Sequence, residues 1–190
     1  MSARVLMVCT GNICRSVMAE LVVGEIAQRQ GLAVQVTSAG VSAEESGNGV
    51  DHRAAATLRA ADYPTGAAHR AHQVTAAELA EQDLVLAMTQ QHAARLQAVA
   101  RRAGIALVGA EEAAAARVAG QQPIELRMFT EFLPAWQEQD AAAVAAAARA
   151  GELDVADPWY GDMADFAETL TVIEEATPAL LNYLRSQVIR

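Results

Sequence analysis

Arg4-Val5-Leu6-Met7-Val8-Cys9-Thr10-Gly11-Asn12-Ile13-Cys14-Arg15-Ser16-Val17-Met18-Ala19-Glu20 reads as a strand, a tight loop and a helix in succession. Residues 5–8 are continuously apolar, the pattern of a strand buried on both faces. Residues 9–15 contain Gly11 and Asn12, the residue types that best tolerate unusual backbone angles. Ser16 offers a cap for a helix whose apolar positions are Val17, Met18, Leu21 and Val22.

A loop of this shape can wrap an anion. Successive backbone N–H groups form a nest, and the helix N-terminus adds partial positive charge. Arg15 supplies a two-pronged donor matched to a tetrahedral oxyanion. The same field favours a thiolate at Cys9, an activated nucleophile at the start of the loop. A lone cysteine on a buried strand is more often a small core residue. The flanking strand and helix, the glycine and the serine after Arg15 favour the reactive reading.

The 190 residues suffice for one substantial α/β domain, expected to span 1–190. Aromatics make up only 4% of the chain, so the pair Trp159-Tyr160 stands out. A net charge of −9 argues against general nucleic-acid or anionic-membrane binding, and it makes an anion site depend on local field. The two cysteines share one short loop and form no structural disulfide framework. Neither a signal segment nor a membrane-spanning run is evident, so a cytoplasmic enzyme is expected.

Beyond the first helix, residues 32–37 alternate as a second strand ending at Ser38-Ala39-Gly40. Residues 41–52 read as loop, and a short helix begins at Arg53. Thr75 with Glu78 forms a capping box. Residues 83–88 make another buried strand, and Thr89 caps a helix over 90–102 that Gly104 stops. Residues 105–108 make a third apolar run and the fourth strand. Alternating strands and helices predict a doubly wound, Rossmann-like four-stranded parallel sheet with helices on both faces. Ligands in such sheets bind beyond the carboxyl ends of the strands, where Cys9 falls. Residues 109–153 read as a helical insertion: 111–118 and 140–150 are alanine-rich, and Leu126, Met128, Phe129, Phe132, Leu133 and Trp136 resemble one helical face. That face either packs on the sheet, the commoner outcome, or covers the site or a partner surface. A last helix runs from about Asp165 to the chain end, with Pro178 kinking or restarting it and Thr177 available as a cap.

A thiolate attacking a phosphate monoester needs a proton for the leaving oxygen. Asp157, fixed by Pro158 and next to Trp159 and Tyr160, is the candidate donor, although Asp-Pro also initiates ordinary turns. The two motifs together resemble the low-molecular-weight protein tyrosine phosphatases. Residues 9–16 match that family's phosphate loop, Ser38-Ala39-Gly40 and 84–88 its next blocks, and Asp157-Pro158-Trp159-Tyr160-Gly161 its general-acid loop.

The resemblance implies a residue-by-residue assignment. Cys9 would be the nucleophile, Arg15 the clamp on the phosphoryl oxygens, and Asp157 the general acid and then base. Thr10, Gly11, Asn12, Ile13, Cys14, Arg15 and Ser16 would bind phosphate, with Asn12, Ser16 and Ser38 supporting the loop and Ser16 donating to Cys9. Trp159 and Tyr160 would wall the slot. Cys14 would be either a redox partner that protects Cys9 through a reversible disulfide or a buried filler. No metal or other cofactor is implied. The implied partners are phosphotyrosine proteins, a tyrosine kinase among them. Ile13 resembles tyrosine-directed members, whereas phosphoarginine-directed ones carry threonine there. A thioredoxin-coupled arsenate reductase would need further cysteines. A Cys-phosphoryl carrier would need neither Arg15 nor Asp157, and a catalytically silent phosphate-binding module is only weakly excluded, since the glutamate-bearing loop could block the slot. The family's aromatic residue after Ser-Ala-Gly is missing from 41–51, and Glu44 falls near its place. Phe129 or Trp136 of the insertion is a candidate replacement. Trp159 replaces a commoner tyrosine, leaving only Tyr160 as a phosphorylation site in that loop.

Overall fold

The computed structural model describes residues 2–188. Five parallel strands form one sheet in the order β2-β1-β3-β5-β4. They are β1 (Ala3–Cys9), β2 (Val34–Gly40), β3 (Leu84–Ala87), β4 (Leu107–Val108) and β5 (Ile124–Met128). Side chains alternate across β1, so Val5, Met7 and Cys9 enter one core while Leu6 and Val8 enter the other. β3 does the same with Leu84 and Leu86 against Val85 and Ala87.

Helices α1 (Arg15–Arg29), α2 (His52–Ala60) and α8 (Met163–Tyr183) cover the first face, burying Met18, Val22, Leu58, Phe166, Ile173 and Leu180. Helices α3 (Ala76–Ala80), α4 (Gln90–Ala103) and α7 (Ala141–Ala150) supply Leu79, Leu96 and Ala147 to the second. The expected caps of α3 and α4 are present: Thr75 and Glu78 close a capping box, and the Thr89 side chain accepts from the His92 amide. Gly104, at φ 69°, ends α4 in the left-handed conformation. No helix among the described residues is long and apolar enough to cross a membrane.

Several expectations are corrected. The sheet has five strands rather than four, and segment 109–153 is not wholly helical. It contains α5 (Ala110–Val118), α6 (Pro134–Gln137) and α7, but also β5, which takes the inner place beside β3. Ile124, Leu126 and Met128 alternate with Glu125 and Arg127, a period of two. That strand signal runs without a break into Phe129 and Phe132 of the following 3-10 turn, which hides it. The run 105–108 contributes only the two-residue edge strand β4. Phe129 is buried in the first core and Trp136 packs on the second, so the segment closes over the sheet.

Ser16 does not cap α1. The helix begins at Arg15 with Cys14 at the cap, and the Ser16 hydroxyl bonds elsewhere. Nor does Pro178 restart α8, which runs for 21 residues through it. Burial of Ile173, Ala176, Leu180 and Leu181 on both sides of the proline holds the helix together. Thr177 Oγ1 donates to the Ile173 carbonyl at 2.6 Å instead of capping. α8 starts earlier than expected, where Asp162 and Asp165 form a capping box, and passes into a π-turn at Leu184–Val188. The expected last residues of that helix, Ile189 and Arg190, lie outside the described residues.

Candidate active site

The C-terminal end of β1 delivers Cys9 to a loop that leads straight into α1. Asn12, at φ 61°, turns the chain in a conformation that side chains other than glycine rarely take. Its own side chain and carbonyl hold it there. Asn12 Nδ2 donates to Ser16 Oγ at 3.0 Å and to Ser38 Oγ at 2.8 Å. Asn12 Oδ1 accepts from the His72 amide at 3.2 Å, and its carbonyl accepts from His69 Nε2 at 2.7 Å. Ser38 passes its hydrogen to the Glu20 carboxylate. Ser16 Oγ, already accepting from Asn12, keeps its hydrogen for Cys9 Sγ 3.0 Å away.

Gly40 allows β2 to press against this loop. A Cβ there would lie 2.6 Å from the Thr10 carbonyl oxygen and 3.2 Å from the Gly11 carbonyl carbon. Both are backbone atoms, so the close approach needs glycine. The segment after α2 also meets Gly40, through His72 O and the Val74 amide, which brings His69 and His72 under Asn12.

Arg15 is buried at the N-terminus of α1, its side chain only 5% exposed. Nη1 donates to the Val155 carbonyl at 3.0 Å and Nη2 to Asp157 Oδ2 at 2.7 Å. Nε, also buried, has no hydrogen-bond partner among the described residues. A buried guanidinium N–H without a partner costs several kcal/mol of lost hydration unless an anion meets it. Asp157 is 41% exposed, so its carboxyl reaches both Arg15 and solvent.

A cleft of about 170 Å³ brings together Cys9, Thr10, Gly11, Ile13, Cys14 and Arg15 with Asp157, Trp159 and Tyr160 from the far end of the chain. Asn12, Ser16 and Ser38 lie buried beneath it as supports. Phe129 and Trp136 do not line it, so neither replaces the missing aromatic wall; Glu44 and Glu45 occupy that side.

Several functional positions carry no signal in the sequence. Arg53 grips the Asp51 carboxylate through Nε and Nη2, both at 3.1 Å, and donates Nη1 to the Trp159 and Gly161 carbonyls at 3.2 and 2.9 Å. Asp51 in turn donates its amide to the Ile13 carbonyl. Phosphate loop and acid loop are thereby linked through one ion pair. His92 is 2% exposed and meets Thr10 Oγ1 through Nε2 at 2.9 Å, while Nδ1 is buried without a partner. A proton on Nε2 leaves only a lone pair unsatisfied and frees the Thr10 hydrogen for the cleft. Burial, reinforced by Arg15 and Arg95, lowers the His92 pKa to about 3, so the ring is neutral. Burial also pushes the Cys14 thiol far above its ordinary value, with Asp51, Cys9 and Asp157 adding to the effect and Arg15 opposing it. Cys9 and Cys14 are both free.

The family model for low molecular weight phosphotyrosine protein phosphatase matches residues 4–109 and 105–190. The low molecular weight protein-tyrosine phosphatase A of Mycobacterium tuberculosis (strain ATCC 25618 / H37Rv) is 40% identical over 187 residues, covering 96% of this chain and 92% of its own. A protein-arginine-phosphatase of Bacillus subtilis (strain 168) is 42% identical over 88 residues, 46% of this chain and 57% of its own. Among solved structures, a low molecular weight phosphotyrosine phosphatase of Vibrio cholerae O395 superposes with a TM-score of 0.70 at 26% identity, over 99% of this chain and all of its own.

Proposed function

This chain belongs to the low molecular weight phosphotyrosine protein phosphatases, and we propose that its hydrolysis of phosphotyrosine runs through Cys9, Arg15 and Asp157. The observation that carries these assignments is the buried, partly unpartnered Arg15 guanidinium, beside a sulfur held by Ser16 at the mouth of α1. Residues 1–190 act as one domain. Its proposed substrates are phosphotyrosine-containing proteins of the cytoplasm, where thiols stay reduced, a tyrosine kinase among them.

The phosphate enters over the loop amides, and its oxygens take Arg15 Nε and compete with Asp157 for Nη2. The Cys9 thiolate attacks phosphorus, forming the S–P bond as the P–O bond to the ring breaks. The departing electron pair stays on the phenolic oxygen, which takes the Asp157 proton. Water then attacks the phosphocysteine, giving its proton to the Asp157 carboxylate. The S–P bond breaks, returning the thiolate and releasing inorganic phosphate. Where a peroxide converts Cys9 to a sulfenic acid, the Cys14 sulfur attacks it as its proton passes to the departing hydroxide, so the disulfide forms with loss of water.

Purified protein is expected to hydrolyse para-nitrophenyl phosphate and phosphotyrosine peptides in the presence of chelator. Cys9→Ser should abolish turnover, and Asp157→Asn should slow it by roughly 10²–10⁴. Absence of turnover above background would sink the reading, and full activity of Asp157→Asn would remove the acid from Asp157. Phosphoarginine hydrolysis is a second reading, supported by the arginine phosphatase relative. Side-by-side hydrolysis of phosphotyrosine and phosphoarginine peptides decides between them.

A further inference from the structure

The cleft has a basic floor and an acidic rim. Glu44 and Glu45 line it, and among the described residues Arg15 is the only basic one that does. Arg15 is already paired with Asp157. Among the described residues, neither glutamate has an ion-pair partner. Glu45 Oε2 accepts only a neutral amide, from Asn48 Nδ2 at 2.7 Å. Glu45 is also pressed against the phosphate loop, since a Cβ on Gly11 would stand 2.8 Å from its Cγ. Glu45 is therefore a fixture of the entrance, and Glu44 lines it alongside.

A phosphate dianion on the floor adds negative charge beneath two uncompensated carboxylates. Once the phosphotyrosine ring is inserted, the residues flanking it in the substrate chain meet the rim. Acidic flanks would place like charges together, whereas an arginine or lysine supplies the missing cation. An arginine gains further by stacking on Trp159 or Tyr160, 40% and 92% exposed at the same cleft. We propose that Glu44 and Glu45 select phosphotyrosine segments in which a basic residue adjoins the phosphotyrosine. This rests on the phosphotyrosine phosphatase reading of the cleft and adds the chemistry of the flanking sequence.

The test compares two phosphotyrosine peptides that differ only in having Arg or Glu on both sides of the phosphotyrosine. With the native protein at low salt, kcat/KM should favour the Arg peptide by roughly fivefold or more, the scale of exposed ion pairs summed over two carboxylates. The preference should shrink towards one at high salt, because these charges are screened. It should shrink likewise in Glu44→Gln/Glu45→Gln. A native preference near one, or a preference unchanged in the double variant, would overturn the inference while leaving the phosphatase reading intact. A matched phosphoarginine peptide outpacing both would also overturn it, since the carboxylates would then face the leaving group itself. Failure to turn over para-nitrophenyl phosphate would instead remove the phosphatase reading, and this inference with it.

Discussion

Asn12 accepts a costly backbone conformation because four hydrogen bonds converge on it, and one of its partners, Ser16, presents the sulfur of Cys9 with a donor. His92 supports the neighbouring Thr10 from the other core, and its neutrality makes a pH prediction. Its folded pKa is about 3, and an unfolded histidine titrates near 6.5. Between those values the unfolded chain binds a proton that the folded one does not. The contribution is therefore complete above pH 6.5 and is lost as pH falls, by up to about 1.4 kcal/mol per pH unit. Glu20, raised by burial against the opposing Ser38 bond and the fields of His69 and His72, works in the other sense, losing its contribution as pH rises. Urea midpoints between pH 4.5 and 7 should fall less steeply for His92→Gln than for the parent. Identical slopes would show that His92 does not stay neutral on folding. Cys9, Arg15 and Asp157 were legible because a thiol, a guanidinium and a carboxyl have distinctive chemistry at a recognisable spacing. His92 was not, because nothing local distinguishes a histidine that reaches back 82 residues from any other on a helix.

Arg53 joins the loop after β1 to the loop after α7 from the α2 side, alongside the bonds of Arg15 to Val155 and Asp157. Its guanidinium lies 4.6 Å from the Phe166 ring centroid, which braces it from the α8 side. Arg53→Met should free the acid loop and lower kcat by between about tenfold and a hundredfold, as small misplacements of a catalytic group do. The loss should be larger for phosphotyrosine than for para-nitrophenyl phosphate, whose better leaving group needs less help from Asp157. Equal losses on both substrates would assign Arg53 to folding of the phosphate loop rather than to the acid. At this scale the caps at Thr75 and Thr89 were readable, since capping is settled within four residues. β5 was not, because its period of two covers only five residues before a turn with helical spacing takes over.

Across the molecule, β5 carries a fully buried glutamate. Glu125 pairs with Arg117 of α5 at 2.7 Å and accepts from Tyr183 of α8, while Arg117 also donates to Tyr183. This cluster ties the inner strand to a helix on each side of it in the chain. Removing one member leaves buried charge behind, so Glu125→Leu should cost about 3–5 kcal/mol in urea unfolding. Adding Arg117→Met should recover part of that cost, because no unpaired guanidinium remains. A double variant as unstable as the two single losses summed would refute the coupling.

By itself the sequence determined the strand-loop-helix that carries Cys9 and Arg15 and the parallel α/β class, and it offered Asp157 as the candidate distant carboxyl. Each of these is written in short-range pattern: an apolar run, a turn residue, a cap, a reactive side chain. Only the tertiary structure decided that five strands form the sheet, that residues 109–153 supply one of its inner strands, and that Glu45 joins Glu44 at the rim of the cleft. Those outcomes depend on contacts between residues far apart in the chain, whose energies come from burial and charge pairing and leave no local periodicity to read.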